Sequence, residues 1–229
     1  DVCSSDLRAW GYLHKGIPRN EAVIVFPENN FTGRSIAAAS ASTDPSCYNN
    51  YGPYVPNFIN VPYDDVAALE KLFQRHSNIA AYYMEPIQGE AGIILPSAGY
   101  LRAVRDLCTK YNVLMIADEI QVGLGRTGFL RACEVEDVVP DLTVLGKALG
   151  GGFIPVSAVG GRADVILSLK TGTHGSTFCS NPMSCAISDA AVQVILEEDL
   201  ISNSRKQGDY RSEEHTSELQ SRQYLVCRL

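Results

Sequence analysis

Apolar positions along the chain follow two rhythms. Short unbroken runs, Val23-Ile24-Val25-Phe26, Ile79 to Met84, Val113 to Ala117 and Leu142-Thr143-Val144-Leu145, read as strands. Between them the spacing lengthens to that of a helix: Val66, Leu69, Leu72 and Phe73 recur behind Asp64 and Asp65, which suit a helix start. A second helix is predicted over 98–111, with Leu101, Val104, Leu107 and Cys108 forming one apolar stripe. A third opens at Asn181-Pro182, runs through Ala190, Val194 and Ile195 to Glu197-Glu198-Asp199, and is expected to lead out of the main domain. Alternation of the two rhythms predicts an α/β sheet. Asn49 to Pro62, rich in Tyr, Asn and Pro, is expected to be an ordered loop, and no internal repeat interrupts the pattern.

Both ends break from this pattern. Asp1 to Leu7 resembles a translated sequencing adapter, Arg211 to Ser221 resembles its complement, and Tyr224 to Leu229 its continuation. Residues 1–7 and 211–229 are therefore expected to be appended sequence. The span from Arg8 to Tyr210 is long enough for one large domain, and is expected to be part of a longer protein. Discounting Asp1 and Asp6 moves the formal charge from −7 to −5, because the tail's three arginines offset its three glutamates. That balance gives no reason to expect a nucleic-acid partner, and no apolar run is long enough to span a membrane. Cys47, Cys108, Cys133, Cys179 and Cys185 form no Cys-x-x-Cys pair and suit free thiols in a reducing compartment. His14, His76 and His174 are equally dispersed, so no metal site is expected.

The candidate chemistry sits where strands end. Lys147 lies in Leu145-Gly146-Lys147-Ala148-Leu149, after one apolar run, and Asp118 closes another. An isolated lysine is usually a surface group, but Gly146 and Gly150-Gly151-Gly152 allow a close backbone approach that a solvated lysine does not need. A lysine ending a buried strand is expected to be partly desolvated, able to lose a proton and form a Schiff base with an aldehyde cofactor. A carboxylate at Asp118 can keep a pyridine nitrogen protonated, so that the ring accepts electrons. Together they point to a pyridoxal-phosphate enzyme.

Further motifs narrow this reading: Glu85-Pro86-Ile87-Gln88-Gly89-Glu90-Ala91-Gly92, Asp118-Glu119-Ile120-Gln121, Gly125-Arg126-Thr127-Gly128 and His174-Gly175-Ser176-Thr177. With the Lys147 segment they resemble the class III aminotransferases. Asn30 to Arg34, Gly52 to Pro56 and Pro155 to Val159 make the chain most similar to the ornithine aminotransferases. The resemblance implies a PLP-dependent transferase type I fold. Residues 8–195 would be a large cofactor-binding domain with a mostly parallel sheet, and residues 196–210 the start of a linker to a small domain.

It also implies roles. Phe31 and Ile120 would sandwich the cofactor ring, Gln121 would donate to its phenolic oxygen, and Ser176 and Thr177 would bind its phosphate across a dimer interface. The complete enzyme would then be a homodimer or higher homo-oligomer with shared sites. Arg34 would receive a substrate carboxylate, and Glu90 would act as a gate, neutralising a second arginine beyond this chain. Glu85 would be a support for the substrate side or a buried acceptor.

In the implied reaction Lys147 moves the proton, and the amino group passes from ornithine to 2-oxoglutarate. Acetylornithine or 4-aminobutyrate specificity, and an inactive truncated paralogue serving as dimer partner, are the alternatives. Thr32 stands where ornithine aminotransferases often carry an aromatic residue or His, and Cys179-Ser180 replaces Gly-Gly. A glycine-rich phosphate segment is expected upstream of Arg8 and a small domain after Tyr210, so the isolated chain is expected to be inactive.

Overall fold

The computed structural model describes residues 2–168, 170 and 172–215. Most of the tail read as appended, 216–229, lies outside the described residues. Six strands, β1 (Val23–Pro27), β2 (Phe58–Val61), β3 (Ile79–Met84), β4 (Leu114–Asp118), β5 (Leu142–Leu145) and β6 (Ala158–Gly161), form one sheet in the order β2-β1-β3-β4-β5-β6. All neighbours pair in parallel except β5 and β6, which are antiparallel. The helices are α1 (Val2–Leu13), α2 (Ile36–Ala41), α3 (Pro45–Tyr48), α4 (Val66–Arg75), α5 (Tyr100–Lys110), α6 (Ala163–Ile166), α7 (Pro182–Glu197) and α8 (Leu200–His215), with 3-10 turns at Ala132–Glu136 and Lys147–Gly150.

Strand alternation sorts the core into two layers. On one face Val23, Val25, Tyr82, Met84, Met115 and Ala117 pack with Leu69 and Phe73 of α4 and Leu101, Val104 and Cys108 of α5. On the other, Ile24, Phe26, Tyr83, Leu114, Ile116 and Val144 meet Leu7 and Trp10 of α1 and Val165 of α6. Burial on both faces is why β1, β3 and β4 are continuous apolar runs. Helix α1 passes through residues read as appended, and its Leu7 is fully buried.

The predicted helices form with trimmed ends. Asp65 caps α4 by accepting from the Ala68 amide, and Asn181 caps α7 by accepting from the Met183 and Ser184 amides. The expected loop over 49–62 in fact holds β2, an edge strand only partly buried. Burial of Asp141 fixes the sheet between β4 and β5: its carboxylate accepts from Arg105, from Arg162 and from the Met115 amide at 2.7–2.8 Å. A charge removed from water persists only with such partners.

Candidate functional site

Parallel strands β3, β4 and β5 all end on the same edge of the sheet, and that edge collects the polar groups. Asp118, the last residue of β4, is 5% exposed. One carboxylate oxygen accepts the Tyr83 hydroxyl at 2.8 Å, and the other accepts the Ile120 amide at 3.1 Å. Burial pushes the Asp118 carboxyl up, while the Ile120 amide, the Tyr83 hydroxyl and the charge of Lys147 pull it back. The charge of Lys147 thus acts on Asp118.

Lys147 begins the 3-10 turn after β5 with φ at 42°, and its side chain is exposed. The expectation of a desolvated lysine is therefore corrected. The left-handed backbone at Lys147 turns the chain into the 3-10 turn as β5 ends. Before it, Gly146 gives Ile120 room, since a Cβ at that position would lie 3.3 Å from both Ile120 Cγ1 and Ile120 Cγ2. Ile120 is held against the apolar layer beneath it.

Glu85 follows β3 and is 4% exposed. Its two carboxylate oxygens accept separate backbone amides, Phe31 at 3.0 Å and Gly89 at 3.1 Å. Burial pushes its carboxyl up to about 7, opposed by those two amides and reinforced by the charges of Asp118 and Glu90. Gln121 donates to the exposed Glu90 at 3.1 Å, and its amide lies against Gly89, where a Cβ would meet it at 2.9 Å. Half-buried Phe31 carries the Arg34 guanidinium 5.3 Å above its ring, and Arg34 donates to the Cys47 thiol at 3.1 Å. Phe31, Glu85, Gly89, Glu90 and Gln121 thus form one linked group.

Ser176 and Thr177 are not joined to that group. Both are exposed, and Ser176 Oγ accepts the neighbouring Phe178 amide at 3.3 Å. Their segment leans on α1, with His174 Nδ1 at 3.3 Å from the Asp6 carboxylate. Three groups were missed by the sequence reading. Tyr83 carries no motif, and only the pairing Tyr83 with Ile116 brings it beside the end of β4. Tyr63 donates to the carbonyls of Glu85 and Pro86, holding that turn. Glu119, 1% exposed, accepts the Ala132 and Cys133 amides and so anchors the 3-10 turn behind the site; its place in the Asp118 motif was the available signal. Among the described residues no cluster of His, Cys, Asp and Glu could hold a metal ion, and no helix is long and apolar enough to cross a membrane.

The chain is similar in sequence and fold to known proteins. The mitochondrial ornithine aminotransferase of Drosophila melanogaster is 54% identical over 202 residues, covering 88% of this chain and 47% of that protein. The ornithine aminotransferase of Toxoplasma gondii, crystallised with oxidised glutathione and holding PLP at partial occupancy, superposes with a TM-score of 0.92 at 45% identity. That match covers 95% of this chain and 51% of the other. Acetylornithine aminotransferase from Elizabethkingia anophelis is 43% identical with a TM-score of 0.78, covering 91% of this chain and 48% of its own. The chain spans about half the length of the curated relatives it matches. The family model for aminotransferase class-III matches residues 7–226, and this chain belongs to that family of PLP enzymes.

Proposed function

We propose that the complete protein is a transaminase that passes the δ-amino group of L-ornithine to 2-oxoglutarate, giving glutamate semialdehyde and glutamate, with pyridoxal 5′-phosphate as its cofactor. The observation that carries this reading is the buried Asp118 carboxylate, held by the Tyr83 hydroxyl and the Ile120 amide at the carboxyl end of β4, with the charge of Lys147 acting on it. A carboxyl pushed up by burial gains most from a cationic neighbour, which a protonated pyridine nitrogen provides. Ile120 on its glycine floor and the half-buried ring of Phe31 offer apolar and aromatic surfaces of the kind such a ring needs. The residues present therefore fit the cofactor. When bound, it supplies an aldehyde carbon for the amine and a ring that accepts electrons.

Asp118 holds the ring nitrogen protonated, and Tyr83 and the Ile120 amide hold Asp118 in place. Exposed Lys147 would take the proton from the substrate carbon and deliver it to the cofactor's aldehyde carbon. Gln121 donates to the phenolic oxygen. Arg34 receives the substrate carboxylate as a bidentate donor, and Glu90 neutralises the second arginine while a diamine is bound. Glu85 supports both loops on the substrate side. Ser176 and Thr177 bind the phosphate of the other protomer's cofactor in a homodimer, which agrees with their exposure beside Phe178. Residues 8–195 form the large domain and 196–210 the start of the linker, with 1–7 and 211–229 appended. The mitochondrial matrix or the cytoplasm is the compartment.

The likeness to an acetylornithine enzyme supports a second substrate reading. Turnover of the complete protein with ornithine, N-acetylornithine and 4-aminobutyrate separates the two. A higher kcat/KM for ornithine is expected, and faster turnover of either competitor sinks the ornithine assignment. Cofactor absorbance that shifts on Lys147→Ala would set aside an inactive paralogue.

A further inference from the structure

Glu85 bridges two loops that approach the site from different parts of the chain. One carries Phe31 and Arg34 after β1; the other carries Gly89 and Glu90 after β3. Both of its carboxylate oxygens are committed to backbone amides, one in each loop. The Gly89 loop in turn lies against the Gln121 amide, which donates to Glu90. We infer that Glu85 is a positioning residue that clamps the Arg34 loop to the Glu90 loop and so sets the width of the substrate cleft. This rests on the transaminase reading above, because the cleft is defined there by Arg34 and Glu90.

The clamp needs the carboxylate form. An ionised carboxylate accepts on both oxygens, whereas a protonated one turns one oxygen into a donor that an amide N–H cannot use. The charged and titratable groups facing Glu85 are Asp118 at the end of β4, Glu90 in its own loop and the Tyr63 hydroxyl, which donates to the Glu85 carbonyl. Burial, Asp118 and Glu90 all favour the protonated form, and the two amides oppose them; the balance places the titration at about 7. The clamp is therefore closed above that value and opens as the pH falls through it.

The test uses the complete, cofactor-loaded protein and its Glu85→Gln variant. An amide side chain offers one acceptor oxygen, so one of the two backbone amides loses its partner. Hydrogen exchange is expected to quicken at Phe31 or Gly89 by about tenfold, the effect of one hydrogen bond. In the wild type, KM for ornithine is expected to fall about 3- to 10-fold between about pH 6 and about pH 8 as the clamp closes. In Glu85→Gln, KM should stay high and flat over that range, with kcat at the upper pH within about twofold of wild type. Unchanged exchange at both amides, or a wild-type KM profile in the variant, overturns the clamp. If Glu85→Gln does not fold, Glu85→Asp retains the charge but not the reach, and is expected to release one amide and raise KM; wild-type exchange and KM in that variant also overturn it. A wild type that does not turn over ornithine removes the functional reading, and the exchange comparison then decides the clamp on its own.

Discussion

The carboxyl edge of β3 and β4 and the stretch from Lys147 through Thr177 carry equal shares of the proposed chemistry, yet they are built in opposite ways. At the first, Glu85 and Asp118 are nearly inaccessible and each has two defined donors. At the second, Lys147, Ser176 and Thr177 are exposed, and Phe153 and Phe178 stand 88% and 83% exposed beside them. Burying a carboxylate is costly unless its oxygens are satisfied, so the first region must be finished within the chain. Exposed groups meet no such demand. They can be completed by something that arrives, as in the homodimer proposed above.

The sharpest way to break this contrast is Lys147→Ala in the complete protein. Because the side chain is exposed, the fold should be unchanged by circular dichroism, while kcat falls by roughly 10²–10⁴-fold or more. Retained turnover would make Lys147 an ordinary surface lysine. Stability gives the next largest effect: Ile116→Ala, fully buried in β4, is expected to cost about 2–5 kcal/mol in denaturant unfolding. Phe178→Ala, measured on the monomer, should change stability by no more than about 0.5 kcal/mol. Similar costs at both sites would erase the distinction between a finished and an open region.

Tyr83→Phe sharpens the comparison within the buried half. It removes a donor to a buried carboxylate, worth about 1.5–3 kcal/mol. Losing a group that favours the ionised form raises the Asp118 carboxyl further, so cofactor affinity should weaken by at least about tenfold in an equilibrium titration. Milder than Tyr83→Phe is Gly89→Ala, whose Cβ would meet the Gln121 amide at 2.9 Å. Displacing that side chain from its rotamer costs about 0.5–1.5 kcal/mol, seen as a few-fold rise in KM with the cofactor spectrum unchanged.

The same division decided how much could be read from the residues. Strands β1, β3, β4 and β5 were legible because double-sided or nearly complete burial makes them continuous apolar runs. Partly buried β2 and exposed β6, with Gly160 and Gly161, carry no such signal; their place is fixed by pairing with β1 and β5. Lys147, Asp118 and Gln121 stood out as motif residues at strand ends. Tyr83 did not, because its contact with Asp118 follows from the register of β3 against β4, a relation between distant segments. The exposure of Lys147 was misread for a similar reason. Its left-handed φ takes the backbone out of the strand, and composition does not encode that angle.

Sheet order also imposes a schedule on synthesis. Strand β1 sits between β2 and β3, so Val23 to Phe26 cannot be fully enclosed until Ile79 to Met84 has left the ribosome. At about 5–20 residues per second that wait is on the order of several seconds. For that interval the nascent chain displays a bare apolar ribbon with free backbone edges, a natural client for a chaperone. Slowing translation between residues 27 and 79 should lengthen that exposure and lower the yield of soluble protein, without altering any residue.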